Sequence, residues 1–189
     1  MFANAAWRTL QILFFRAGPQ DFPFDDRLGR WLPLVAVAGN SAFLSIAMPP
    51  MLAALFAVTM VAVMGAYTRT ILQARKHTER FQQTFNSLLA TDLVLKIAVL
   101  PAFILLAPKF MELAAHPELL DHPDKFALPA WPSLSANLIG YWGLAVTTNI
   151  YRHAADVSVL VALLLALLGL FVLLFATAIA SGLLRTLAG

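Results

Sequence analysis

The sequence predicts an all-α, polytopic helix bundle embedded in a lipid bilayer, with about five transmembrane helices. Three observations predict it. Residues 31–68 hold no Asp, Glu, Lys, Arg or His and are broken near their centre by Met48-Pro49-Pro50-Met51. Further charge-free tracts follow at 81–91, 97–108, 126–151 and 157–184. Composition agrees: 60% of the 189 residues are hydrophobic, only 12% are charged, and the mean hydropathy is +0.78. Soluble domains are roughly half apolar and a quarter charged, and a core of this size could not hide the surplus.

The elements follow in order. Trp7, Leu10, Leu13 and Phe14 recur at helical spacing between Arg8 and Arg16, so residues 3–16 read as a short amphipathic helix lying in the interface. The apolar stretch is too short, and no small-residue cleavage site follows, for a secretory signal. Ala17-Gly18-Pro19 ends it, and residues 21–26 are too proline-rich for helix. The chain then divides into a cytoplasmic N-terminal segment, 1–31, and a transmembrane bundle, 32–184.

Spans are expected near 32–48, 51–67, 86–107, 134–150 and 157–182. Each charge-free half of 31–68 is about long enough to cross roughly 30 Å of hydrocarbon. Pro49-Pro50 marks the turn between them, because proline removes a backbone donor and pushes the preceding residue out of helical geometry. The third span carries Asp92 and Lys96 four residues apart, acid first, the favourable order for a pair on one helical face. The pair reads as interfacial, with Lys96 snorkelling towards headgroups. The sharper alternative treats it as an intramembrane functional site, since charge in hydrocarbon is costly. The fourth span has small and polar residues, Gly140, Gly143, Asn137, Thr147 and Asn149, suited to close helix contacts. The fifth is almost wholly Leu, Val and Ala and reads as lipid-facing.

Orientation follows from the connections. Arg8, Arg16, Arg27 and Arg30 precede the first span; Arg69, Arg75, Lys76 and Arg80 face Glu79 alone in residues 68–85; Arg152 follows the fourth span. The connection 108–133 is instead acidic, with Glu112, Glu118, Asp121 and Asp124 against Lys109 and Lys125. Five spans place every basic connection on one side, which gives a cytoplasmic N-terminus and an outer C-terminus. Arg185 dissents on the outer side. A bacterial inner membrane is the expected location.

Candidate chemistry is sparse. With no cysteine there is no thiol nucleophile and no Cys-based metal site. His116, Glu118, Asp121, His122 and Asp124 gather in the acidic connection, but Pro117 and Pro123 break any face that would align them as metal ligands. No nucleophile elbow, Walker loop, dinucleotide fingerprint or His-Glu-x-x-His is present. The expectation is a non-enzymatic protein with no catalytic, cofactor or metal residues. Basic residues precede Phe81, Phe85, Leu88 and Leu89 at helical spacing, so residues 73–89 read as a cationic elbow on anionic headgroups or a docking surface. Arg75, Lys76, Arg80, Phe81 and Phe85 are therefore the candidate partner- or lipid-binding set. Partners are expected among membrane lipids, other membrane proteins or further copies of the chain, and not nucleic acid. The alternative is a small-solute transporter or channel component with Asn40, Asp92, Lys96, Asn137 and Asn149 along a path.

One resemblance bears on these readings. Arg80-Phe81-Gln82-Gln83-Thr84-Phe85-Asn86-Ser87-Leu88 opens a span containing Pro101; Ile139-Gly140-Tyr141-Trp142-Gly143-Leu144 is followed by Arg152-His153-Ala154-Ala155 and a final apolar span. In that order the chain resembles the bacterial branch of the Yip domain family, named for Ypt/Rab-interacting membrane proteins, over residues 30–184. The resemblance implies five spans, a cytoplasmic N-terminus and an organiser or partner of other membrane components without catalytic residues. The Asp-Leu-x-Gly-Pro type of motif of eukaryotic members is not reproduced, so no GTPase-binding role is carried over.

Overall fold

A computed structural model describes residues 2–116, 118–119 and 126–188 of the chain. It contains six α-helices among the described residues and no strand: α1 (Phe2–Leu13), α2 (Asp26–Leu44), α3 (Pro50–Ala74), α4 (Phe81–Ala115), α5 (Ala130–Ala155) and α6 (Val159–Ala188). Three stretches are long and apolar enough to cross a membrane: Pro50–Ala74, Thr78–Ala115 and Val159–Gly182.

Helix ends are set by caps rather than by the limits of the charge-free tracts. Asp25 starts α2 by accepting from the backbone amides of Arg27 at 2.7 Å and Leu28 at 3.3 Å. The first span expected at 32–48 is therefore a helix over 26–44, and the boundary drawn at residue 31 falls inside it. Residues 45–48 form a turn, with Met48 N–H on the Leu44 carbonyl, before Pro49. Pro50 then opens α3 at a position where its missing N–H costs nothing. Pro108, expected to end the third span, lies inside α4 with Pro101. Each proline frees one carbonyl, four residues back at Ile97 and Ile104, without preventing the helix from continuing.

α1, α3 and α5 finish on residues in the left-handed region that are not glycine: Phe15 at φ 58°, Lys76 at φ 59° and Asp156 at φ 51°. Each is followed by a closing bond across the turn: Arg16 N–H to Gln11, His77 to Leu72 and Val157 to Arg152. These wraps satisfy carbonyls that a helix end otherwise leaves orphaned.

One apolar core runs through the molecule. Ile71 and Leu72 of α3, Leu88 of α4, Val146 and Ile150 of α5 and Ala162 and Ala166 of α6 join Ala5, Ile12 and Leu13 of α1 and Phe22 beyond it. A second cluster joins Ala36 of α2, Val61 of α3 and Leu89 of α4. α1 thus has two faces. Ala5, Thr9, Ile12 and Leu13 are buried, whereas Trp7, Leu10 and Phe14 are exposed. Its far end meets α5 midway along that helix, where Trp142 donates its indole N–H to the Leu13 carbonyl at 3.1 Å.

Candidate functional site

The end of the bundle where α2 begins, α3 ends, α4 begins and α5 ends concentrates the cations. Two of them bond carbonyls at the end of another helix, and Arg30 donates from Nε to the Asp26 carbonyl of its own helix at 3.3 Å. Arg75 donates from Nε to the Ala155 carbonyl at 3.2 Å and from Nη2 to Asp156 at 3.3 Å. Arg80 donates from Nη1 to the carbonyls of His153 and Ala154 at 3.2 and 3.3 Å. Both guanidinium groups thus cover the negative end of the α5 dipole, where unpaired carbonyls collect. Phe81 and Phe85 stack on each other with centroids 5.5 Å apart, and each packs against a core cluster. Of the candidate binding set, Lys76 alone is exposed and makes no side-chain hydrogen bond among the described residues. Arg27, Arg30, Arg69 and Arg152 are exposed beside it.

The N-terminal segment is tied to the same end. Gln83 donates to the carbonyls of Gln20 and Phe22, and Gln82 to that of Asp25. Two of the acids nearby act as caps, and Glu79 pairs with His77 and Arg80. Asp21 accepts from the Gly18 amide at 2.8 Å, as Asp25 does for α2. On the outer face of α2, Arg27, Arg30, Trp31 and Leu34 line one shallow groove.

The Asp92–Lys96 pair lies well inside α4. Asp92 is eleven residues from the helix start, roughly 16 Å along the axis. Lys96 contacts Asp92 Oδ1, and the lysine side chain is only 16% exposed against 28% for the aspartate. Both side chains are thus largely shielded by the bundle. Asn40 of α2, 2% exposed, completes the cluster: its amide nitrogen donates to the Ala36 carbonyl at 2.7 Å and approaches Asp92 Oδ2 at 3.4 Å. α2 and α4 approach closely here: a Cβ on Gly39 would lie 2.6 Å from Leu93 Cδ2.

The polar residues taken as a path do not meet in one cavity. Asn40, Asp92 and Lys96 cluster between α2 and α4. Asn137 is exposed and bonds the Ser133 carbonyl of its own helix, and the Asn149 carbonyl accepts from His153 only if that ring nitrogen is protonated. Of the five, Asp92 alone borders the cleft of about 240 Å³ between α3, α4, α5 and α6. At one end of it Tyr67 and Tyr151 meet edge to face with centroids 6.1 Å apart. Tyr67 Oη donates to the Leu165 carbonyl at 2.6 Å, and Tyr151 Oη lies 3.0 Å from Thr68 Oγ1. The cleft wall on α5 is Gly140, Gly143, Leu144, Thr147 and Tyr151, a recurrence of three and four that the sequence already carries.

Asn86 was not singled out from sequence. It is 1% exposed, and neither amide atom has a hydrogen-bond partner among the described residues. Its neighbours on α4 are self-contained: Ser87 Oγ bonds the Thr84 carbonyl, and Thr91 Oγ1 that of Ser87.

In the acidic connection, His116 and Glu118 lie 3.1 Å apart, while Asp121, His122 and Asp124 fall outside the described residues. The Glu118 carboxyl is held below its ordinary value by its own backbone amide first and by His116 second. No group of three His, Asp or Glu among the described residues is placed to hold a metal ion. No protein-family model, curated protein or solved structure matches the chain.

Proposed function

We propose that the chain is a non-enzymatic, five-span integral protein of the bacterial inner membrane that gathers anionic lipid headgroups at its basic end, where partner membrane proteins or further copies of the chain also assemble. α2 and α5 join the three long apolar helices as spans in this reading. The Yip-type resemblance favours the same count and the same absence of catalysis.

The observation that carries the proposal is the order of side chains on the outer face of α2. Arg27 and Arg30 come first, then Trp31, then Leu34, all on one groove and all exposed. Guanidinium groups pair with phosphate, an indole favours the headgroup level, and leucine favours hydrocarbon, so the stripe is graded as a bilayer is graded. Arg69, Lys76 and Arg152 extend the cationic level around the other helices. Juxtamembrane cations attract an anionic leaflet by about 1 kcal/mol each. At that end the seven cations Arg27, Arg30, Arg69, Arg75, Lys76, Arg80 and Arg152 outnumber the five acids Asp21, Asp25, Asp26, Glu79 and Asp156.

Native mass spectrometry from mixed phosphatidylglycerol and phosphatidylcholine nanodiscs tests this. The protein is expected to retain phosphatidylglycerol preferentially, and Arg27→Glu with Arg30→Glu to lose that preference. Equal retention of both lipids by the unaltered protein, or an unchanged preference in the variant, overturns the proposal. A transport role draws on Asp92, but its other candidate residues lie away from the cleft.

A further inference from the structure

We infer that the cleft between α3, α4, α5 and α6 is a binding site for a single hydrocarbon chain, the end of a lipid acyl chain entering from the middle of the bilayer. The inference rests on α3, α4, α6 and, as proposed above, α5 lying in a membrane, and not on the headgroup reading of the basic end.

The cleft is closed towards the basic end and open away from it. Tyr67 and Tyr151 form its floor, and the hydroxyl of each is tied, one to the Leu165 carbonyl and one to Thr68. At the other end, a Cβ placed on Gly140 would meet nothing within 4 Å, and Leu170 is half exposed. Gly140 lies ten residues into α5, so the mouth opens roughly 15 Å along that helix, well within the hydrocarbon layer.

The walls suit hydrocarbon and little else. Thr91 directs its hydroxyl to the carbonyls of Ser87 and Leu88. Asp92 is the one ionisable group on the wall apart from the tyrosines, and its two oxygens are taken by Lys96 and approached by Asn40 on the α2 side. Of the wall's hydroxyls, that of Thr147 alone has no hydrogen bond among the described residues, and one such group falls short of the two to four polar partners a water molecule needs. Left unfilled, the cleft would deprive every wall atom of dispersion contacts on one side. A helix of a second copy, about 10–12 Å across with its side chains, is the competing occupant, and cross-links between two chains would show it. An uncharged mouth in a hydrocarbon layer excludes a headgroup, which leaves a chain end.

The test reconstitutes the full protein in phosphatidylcholine vesicles containing phosphatidylcholine with a diazirine near the terminal methyl of one acyl chain. Photolysis and peptide sequencing then locate the label. Labelling is expected at Leu144 and Thr147 inside the cleft as well as at the exposed Phe171. Gly140→Leu fills the mouth and is expected to lose the cleft label while keeping that on Phe171. Gly182→Leu adds the same volume at a glycine that also has open space around it, and is expected to keep both. A wild-type protein labelled at Phe171 but not at Leu144 or Thr147 overturns the inference without any variant. Cleft labelling that survives Gly140→Leu, or cross-links joining two chains through those residues, overturns it as well. Loss of label at Phe171 in the wild type points instead to failure of the membrane reading.

Discussion

Arg80 and Ala154 are joined across 74 residues by a hydrogen bond from the Arg80 guanidinium to the Ala154 carbonyl, at 3.3 Å. With Arg75 on Ala155, it makes the start of α4 and the end of α3 into a lid over the C-terminus of α5. The cations of this end therefore have two separable duties: Arg75 and Arg80 hold the helix end, and Arg27, Arg30, Arg69, Lys76 and Arg152 face outwards.

Arg80→Ala is expected to destabilise the bundle by about 1 kcal/mol, the low side of a charge-assisted hydrogen bond because the group is partly exposed. Amide hydrogen exchange at residues 152–157 should accelerate with it. Lys76→Ala, at a side chain that holds nothing, should leave exchange there unchanged. Equal acceleration in both variants would show that the arginine has no special structural duty.

Lys76→Gly separates charge from backbone strain. Lys76 occupies the left-handed region at φ 59°, where an L side chain is disfavoured by roughly 1 kcal/mol relative to glycine. The substitution is expected to hold or raise the midpoint of thermal unfolding while removing one outward cation. A fall in the midpoint would mean that the Lys76 side chain contributes to folding.

Asp92 and Lys96 are expected to behave as a unit. Removing one partner leaves a charge inside the bundle, at a cost on the order of 3 kcal/mol, whereas replacing both by apolar residues of similar size returns most of the loss. A double-mutant cycle with Asp92→Leu and Lys96→Met, read by unfolding in detergent, measures this. Additive losses would place the pair in contact with water, as an interfacial site would be.

Trp142→Phe keeps an aromatic ring, though a smaller one, and removes the donor to Leu13. About 1 kcal/mol of stability should be lost, and backbone protection in α1 should fall first, because the bond holds the end of that helix against α5. Unchanged protection in α1 would assign its docking to Ile12 and Leu13 alone.

Much of the architecture is legible in the sequence because it depends on local pattern. Charge-free tracts mark α3, α4 and α6, and Pro49-Pro50 marks the break before α3. The i,i+4 spacing of Asp92 and Lys96 displays their pairing. Their depth is not legible, since it depends on α4 starting at Phe81 and on Asn40 arriving from another helix. Nor is the inward turn of Arg75 and Arg80 legible. A cation near headgroups and a cation on a helix terminus look alike until the terminus, more than seventy residues away, is brought beside it. The cleft is legible in part: the spacing of Gly140, Gly143, Thr147 and Tyr151 displays a smooth face, but the tyrosine floor needs three helices to form.

Sidedness is the claim on which the headgroup reading depends, and the chain suits its measurement because it contains no cysteine. Lys76→Cys and Glu118→Cys, made one at a time, can be probed with a membrane-impermeant maleimide in intact and in opened bacterial cells. Five spans with the basic end inside predict that position 118 reacts in intact cells and position 76 only after opening. Reaction of both positions from the same side would contradict the account.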